Sequence, residues 1–78
     1  MLDERVLAVF RDVFDDERLQ IADSTSAKDV PDWDSLAQVK LVIALEREFN
    51  VRFSTGELVA MRDVGDLKRS VRAKLESR

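Results

Sequence analysis

The residue of this sequence best placed for chemistry is Ser35, a hydroxyl set between Asp34 and Leu36 at the head of an apolar run. A serine hydroxyl is a poor nucleophile at neutral pH unless a base activates it. The chain holds no histidine to act as that base, and no cysteine or tyrosine to act in the serine's place. Lys40, the nearest following lysine, stands about 140° around a helix from Ser35 at 100° per residue, out of reach of the hydroxyl. An unaided hydrolytic centre is therefore a poor reading of Ser35. The position instead offers a helix start, with Asp34 as N-cap, where unsatisfied backbone N–H groups and the positive end of the helix dipole favour negative charge. Taken locally, Asp-Ser before an apolar run is also simply a good cap.

Other polar clusters carry less. Ser24, Ser26, Ser54, Ser70 and Ser77 read as turn, cap or surface residues. Asp15-Asp16-Glu17 lacks the alternating oxygen ligands and glycine of a calcium loop and reads as a solvated helix end, so no metal site is expected.

The elements that must position Ser35 are helical. Residues 3–15 place Val6, Val9, Phe10 and Val13 at helical spacing, with Asp3 as the expected cap and Glu4 in the first turn. Periodicity is then lost over residues 16–33, a long loop that Leu19, Ile21, Ala27 and Val30 can pin to the core. Residues 35–50 form the second helix, with Leu41, Val42, Leu45 and Phe49 on one face. A second apolar line, Leu36, Val39 and Ile43, lies on its flank. Its ordinary reading is core packing against the long loop, and the alternative is that part of it, Leu36 above all, faces a partner.

Val51 and Phe53 look like buried loop anchors. Ser54-Thr55-Gly56-Glu57 then matches a capping box and opens a short helix through Leu58 and Met61. Asp63-Val64-Gly65-Asp66 starts a last helix carrying Val64, Leu67, Val71 and Leu75. Three long helices, one short one and no convincing strand give an all-α fold, a four-helix bundle formed as one domain over residues 1–78.

Composition narrows the function further. Residues 1–39 carry ten acids and four bases, whereas residues 40–78 carry six acids and nine bases. The acidic front half argues against nucleic-acid binding. The longest apolar stretch, Leu41 to Leu45, is too short to span a bilayer, and the first residues are charged rather than a signal core. The expectation is a cytoplasmic protein, and nothing demands more than a monomer.

Residues 34–53, DSLAQVKLVIALEREFNVRF, resemble the second helix of acyl carrier proteins, with an Asp-Ser-Leu triplet at the helix start. The resemblance extends to the amphipathic first helix, the long loop, the short third helix and the Asp-Val-Gly-Asp-Leu entry to the last. It implies that Ser35 receives 4′-phosphopantetheine from coenzyme A by a phosphopantetheinyl transferase, and that the arm's thiol holds an acyl or aminoacyl cargo as a thioester. A chain without cysteine must import any thiol it uses, and the cofactor then carries the chemistry. On this reading the chain is a carrier phosphoprotein and not an enzyme. Its other implied partners are an acyl- or aminoacyl-loading ligase and a downstream acyltransferase or synthase.

The resemblance also gives neighbouring residues roles. Asp34 becomes a transferase contact as well as a cap, and Leu36 a partner contact. Lys40 joins the expected contact surface, with Val39 and Ile43 open between core and partner. Trp33, the only tryptophan, is expected to anchor the loop end over the core, with a wall beside the arm as its alternative role.

The chain departs from carriers of fatty acid synthesis in two places. Those carriers usually show glycine shortly before Asp-Ser, where this chain has Asp32-Trp33, and an acidic second helix, where it mixes Glu46 and Glu48 with Lys40 and Arg47. Charge governs partner choice more than raw affinity. A pathway other than housekeeping fatty acid synthesis is therefore expected, such as natural-product or cell-envelope biosynthesis. The competing reading is a helical interaction module that docks a partner without being modified.

Overall fold

The computed structural model describes residues 2–77. Its four helices are α1 (Leu2–Val13), α2 (Ser35–Phe49), α3 (Thr55–Ala60) and α4 (Val64–Glu76). No strand occurs among the described residues. The expected three long helices and one short one are present.

The first helix starts a residue earlier than the sequence suggested. Asp3 lies inside the first turn of α1 beside Glu4, where both acids face the positive end of the dipole, so Asp3 is not the cap. The helix also ends earlier, at Val13 rather than Asp15. Asp15 adopts the left-handed conformation at φ 51°, and the Asp16 N–H reaches back to the Arg11 carbonyl at 3.0 Å. That back-bonding pattern closes helix ends, and aspartate tolerates it better than most residues lacking glycine's freedom.

Val6, Val9 and Phe10 of α1 meet Leu41, Leu45 and Phe49 of α2, and α4 closes the core with Val64, Leu67 and Val71. Val13, Val42 and Leu75, expected in the stripes, are only half-buried. The second helix stops at Phe49 because Asn50 turns left-handed as its C-cap. Val51 is buried and Phe53 half-buried beyond it.

The long loop is ordered by its own turns and by α4. Leu19 and Ile21 pack on the core and Val30 is buried, whereas Ala27, expected as a fourth pin, is exposed. Turns at Ala22–Thr25 and Ser26–Asp29 are closed by side-chain and backbone bonds of 2.8–3.0 Å. The Val64 and Gly65 N–H groups, orphans at the start of α4, donate to the Thr25 and Asp23 carbonyls at 2.9 and 2.8 Å. The close approach explains Gly65, since a Cβ there would stand 3.1 Å from the Asp23 carbonyl oxygen.

Lys68 ties the same corner, its Nζ 3.0 Å from Asp23 and 3.2 Å from Asp3. Burial pulls its pKa down, but the hydrogen bonds to Asp23 and Asp3 outweigh that and raise it above the ordinary lysine value.

Candidate functional site at the start of the second helix

Ser35 is the first residue of α2 and is exposed. Asp34 caps the helix as expected: its extended backbone precedes the first turn, and its Oδ1 accepts the Ala37 N–H at 2.8 Å. The Gln38 N–H donates to the Asp34 carbonyl at 2.9 Å. Ser35 and Leu36 are left with backbone N–H groups that find no partner among the described residues, and the Ser35 hydroxyl likewise makes no hydrogen bond there. A free hydroxyl beside two free N–H donors at a positive dipole end suits a phosphodiester. The exposed Asp34 carboxylate opposes that charge.

Trp33 holds the other side of the site. Its ring meets Phe10 edge-on, centroids 5.4 Å apart at 79°, and Phe14 at 6.1 Å. Its indole N–H donates to Gln38 Oε1 at 2.6 Å, linking the loop end to the first turn of α2. The ring is half-buried, so anchor and wall are two faces of one side chain. Its outer face lines an open groove of about 420 Å³ together with Ala27, Asp34, Ser35 and Gln38. A smaller cavity of about 230 Å³ shares Ala27, Trp33 and Gln38 and runs on to Leu58, Met61 and Leu67. Gln38 was not singled out from the sequence; the available signal was its place in the first turn of α2, near Ser35 around the helix.

The second apolar line overturns its ordinary reading. Leu36, Val39 and Ile43 are 63, 55 and 45% exposed, so this flank is not packed against the loop. The loop's backbone bonds lie within its own turns and with the end of α1 and the start of α4 instead, leaving the α2 flank bare. Lys40 is exposed on the same flank. Val59 of α3, 78% exposed, is a further apolar side chain that sequence reading missed; α3 is too short for periodicity to show which way it points.

Short α3 owes its position to its first turn. Ser54 and Glu57 form the expected capping box, the Glu57 side chain accepting the Ser54 N–H at 2.7 Å. Glu57 also accepts from Lys74 Nζ, 2.7 Å away at the nearer oxygen, and Lys74 lies over the Phe53 ring. The hydrogen bond from Lys74, and then that from Ser54, lower the Glu57 pKa from 4.5 to about 2.

The family model of the phosphopantetheine attachment site matches residues 4–71, from the first turn of α1 into α4. The chain belongs to that family. The solution NMR structure of holo acyl carrier protein from Geobacter metallireducens superposes on the chain with a TM-score of 0.89 at 39% sequence identity, covering 97% of this chain and 86% of that one. No curated protein matches. The chain is thus a carrier of the acyl carrier protein family, and its cofactor is covalently attached 4′-phosphopantetheine. As a carrier it is a substrate of other enzymes and not an enzyme itself. Among the described residues, no helix is long and apolar enough to cross a membrane.

Proposed function

We propose that Ser35 is the residue that holds the phosphopantetheine arm. The observation that carries this reading is the state of its hydroxyl: exposed, unbonded, and seated at the α2 N-terminus beside two free backbone donors. Those donors favour the phosphate of a phosphodiester on the serine. When bound, the arm supplies a terminal thiol on which cargo is held as a thioester. The chain has no histidine or cysteine to take the Ser35 proton, and the neighbouring Asp34 carboxylate is turned to the Ala37 N–H as the helix cap, so on this reading the base belongs to the phosphopantetheinyl transferase.

The surrounding residues divide the remaining work. Asp34 fixes the helix start and stays exposed for the transferase. Trp33 and Gln38 form a wall along the groove beside Ser35. Leu36, Val39, Lys40 and Ile43 supply the surface that partner enzymes contact: the transferase, an acyl- or aminoacyl-loading ligase, and a downstream acyltransferase or synthase. The exposure of all four supports that role. We place the carrier as a monomeric single domain in the cytoplasm. The mixed charge of α2 favours natural-product or cell-envelope biosynthesis over housekeeping fatty acid synthesis.

The test is to incubate the chain with coenzyme A and a promiscuous phosphopantetheinyl transferase, digest it, and fragment the modified peptide. The arm is expected on Ser35. An arm on Ser24, Ser26 or Ser54, or no arm at all, contradicts the assignment, and complete resistance to modification favours the unmodified interaction module. The pathway is read separately, from the mass of the loaded arm on protein from the native host.

A further inference from the structure

The charges around the bare flank of α2 are unequally committed. Each carboxylate on α2 and α3 has an internal partner: Glu46 accepts the Phe53 N–H at 3.0 Å, Glu48 pairs with Arg5 at 2.8 Å, and Glu57 pairs with Lys74. The Asp34 carboxylate accepts the Ala37 N–H and is exposed, but it lies at the N-terminal cap, at the opposite end of α2 from Arg47 and Arg52. Lys40 and Arg47 on α2, and Arg52 just beyond it, are exposed and have no hydrogen bond or ion pair among the described residues.

These cations border the apolar line. At 100° per residue Leu36, Lys40, Ile43 and Arg47 fall within about 60° of one another around α2, with Val39 beside them. Arg47 and Arg52 also line one shallow depression of about 390 Å³ with Ile43 and Glu46. The flank is therefore an apolar ridge, Leu36, Val39 and Ile43, with a cationic border free to pair outward. Surface charges of one sign beside an apolar patch steer the encounter toward the opposite sign and exclude partners of like charge.

We infer that the phosphopantetheinyl transferase of this carrier docks on α2 through an acidic face, an apolar cleft rimmed by carboxylates that receives Leu36 and Ile43 and pairs with Lys40, Arg47 and Arg52. The inference rests on the reading of Ser35 as the attachment residue. The transferase is the occupant because it alone must reach the serine hydroxyl itself. An enzyme over that hydroxyl lies directly against Leu36, the next residue and the most exposed apolar side chain of α2.

The experiment uses the apo chain, coenzyme A and the host's own transferase, with the rate of arm transfer measured by intact mass at rising NaCl. For the wild type, kcat/KM is expected to fall as salt screens the pairing. The triple variant Lys40→Glu, Arg47→Glu, Arg52→Glu is expected to lose roughly tenfold or more in kcat/KM at low salt, through KM with kcat preserved, and to lose its salt dependence. Circular dichroism checks that the triple variant is folded, and the neutral pair Lys40→Gln, Arg47→Gln gives a milder loss of the same kind. An unchanged or raised kcat/KM in the reversed variant, or a wild-type rate that does not fall with salt, overturns the inference. Failure of the underlying reading looks different: the wild type then gains no arm at Ser35 at any salt.

Discussion

Replacing Trp33 by alanine removes the side chain that joins the end of the long loop to both α1 and α2. Two edge-on ring contacts, to Phe10 at 5.4 Å and Phe14 at 6.1 Å, are lost together with the 2.6 Å hydrogen bond to Gln38. Full burial of a tryptophan would put the cost at about 3–5 kcal/mol. Trp33 is half-buried, which moves the expectation to the lower end, about 3 kcal/mol, with the indole hydrogen bond accounting for about 1 of it. A chain of this length holds roughly 4–12 kcal/mol in all, so the variant stays folded at room temperature but melts some 12–24 °C lower. Far-UV circular dichroism is the assay, because the substitution removes the only tryptophan fluorophore. Trp33→Phe should recover most of the loss, and Gln38→Leu should isolate the hydrogen bond at about 1 kcal/mol. A loss below about 1 kcal/mol in Trp33→Ala would refute the anchoring role and leave the side chain only as a wall of the groove.

The exposed flank predicts the opposite pattern. Leu36→Asp should leave the melting temperature nearly unchanged, since surface substitutions stay within about 0.5 kcal/mol, while arm transfer to Ser35 slows severely; a large stability loss would mean Leu36 is packed after all. Gly65→Ala should destabilise by about 1 kcal/mol or more, because its Cβ crowds the Asp23 carbonyl at 3.1 Å, and urea unfolding at constant slope would measure it. Glu57, held at about 2 against its ordinary 4.5, should stabilise the fold above the unfolded-state value and lose that contribution as pH falls toward 2. Acid titration of Glu57→Gln should therefore show a flatter decline between those limits than the wild type, and parallel curves would contradict the pairing with Lys74.

The parts of the site legible in the sequence are those fixed by local chemistry. Asp34 and Ser54 announced their helices because a cap bonds to a backbone N–H three residues away, and both bonds are present. The inward face of α2 was legible in Leu41, Leu45 and Phe49, which alone of that helix are buried. The flank of Leu36, Val39 and Ile43 was not, because two adjacent apolar stripes have the same period: α1 and α4 cover one, and only the path of the long loop decides whether the other is covered as well. That path is set at a distance, by Asp23 and Thr25 accepting from the start of α4. The start of α1 is not legible for a related reason: Asp3 suits a cap and a first turn equally well, and the two differ only in its backbone. The bond from Trp33 to Gln38 joins side chains across a helix start, where hydrophobic periodicity carries no signal.

The central claim is that the arm rides on Ser35, and the most direct measurement is the intact mass of wild type and Ser35→Ala after equal treatment with coenzyme A and a phosphopantetheinyl transferase. The wild type should gain one phosphopantetheine, and Ser35→Ala, with the same helical circular dichroism, should gain nothing. An undiminished gain in Ser35→Ala, or no gain in the wild type, would contradict the account.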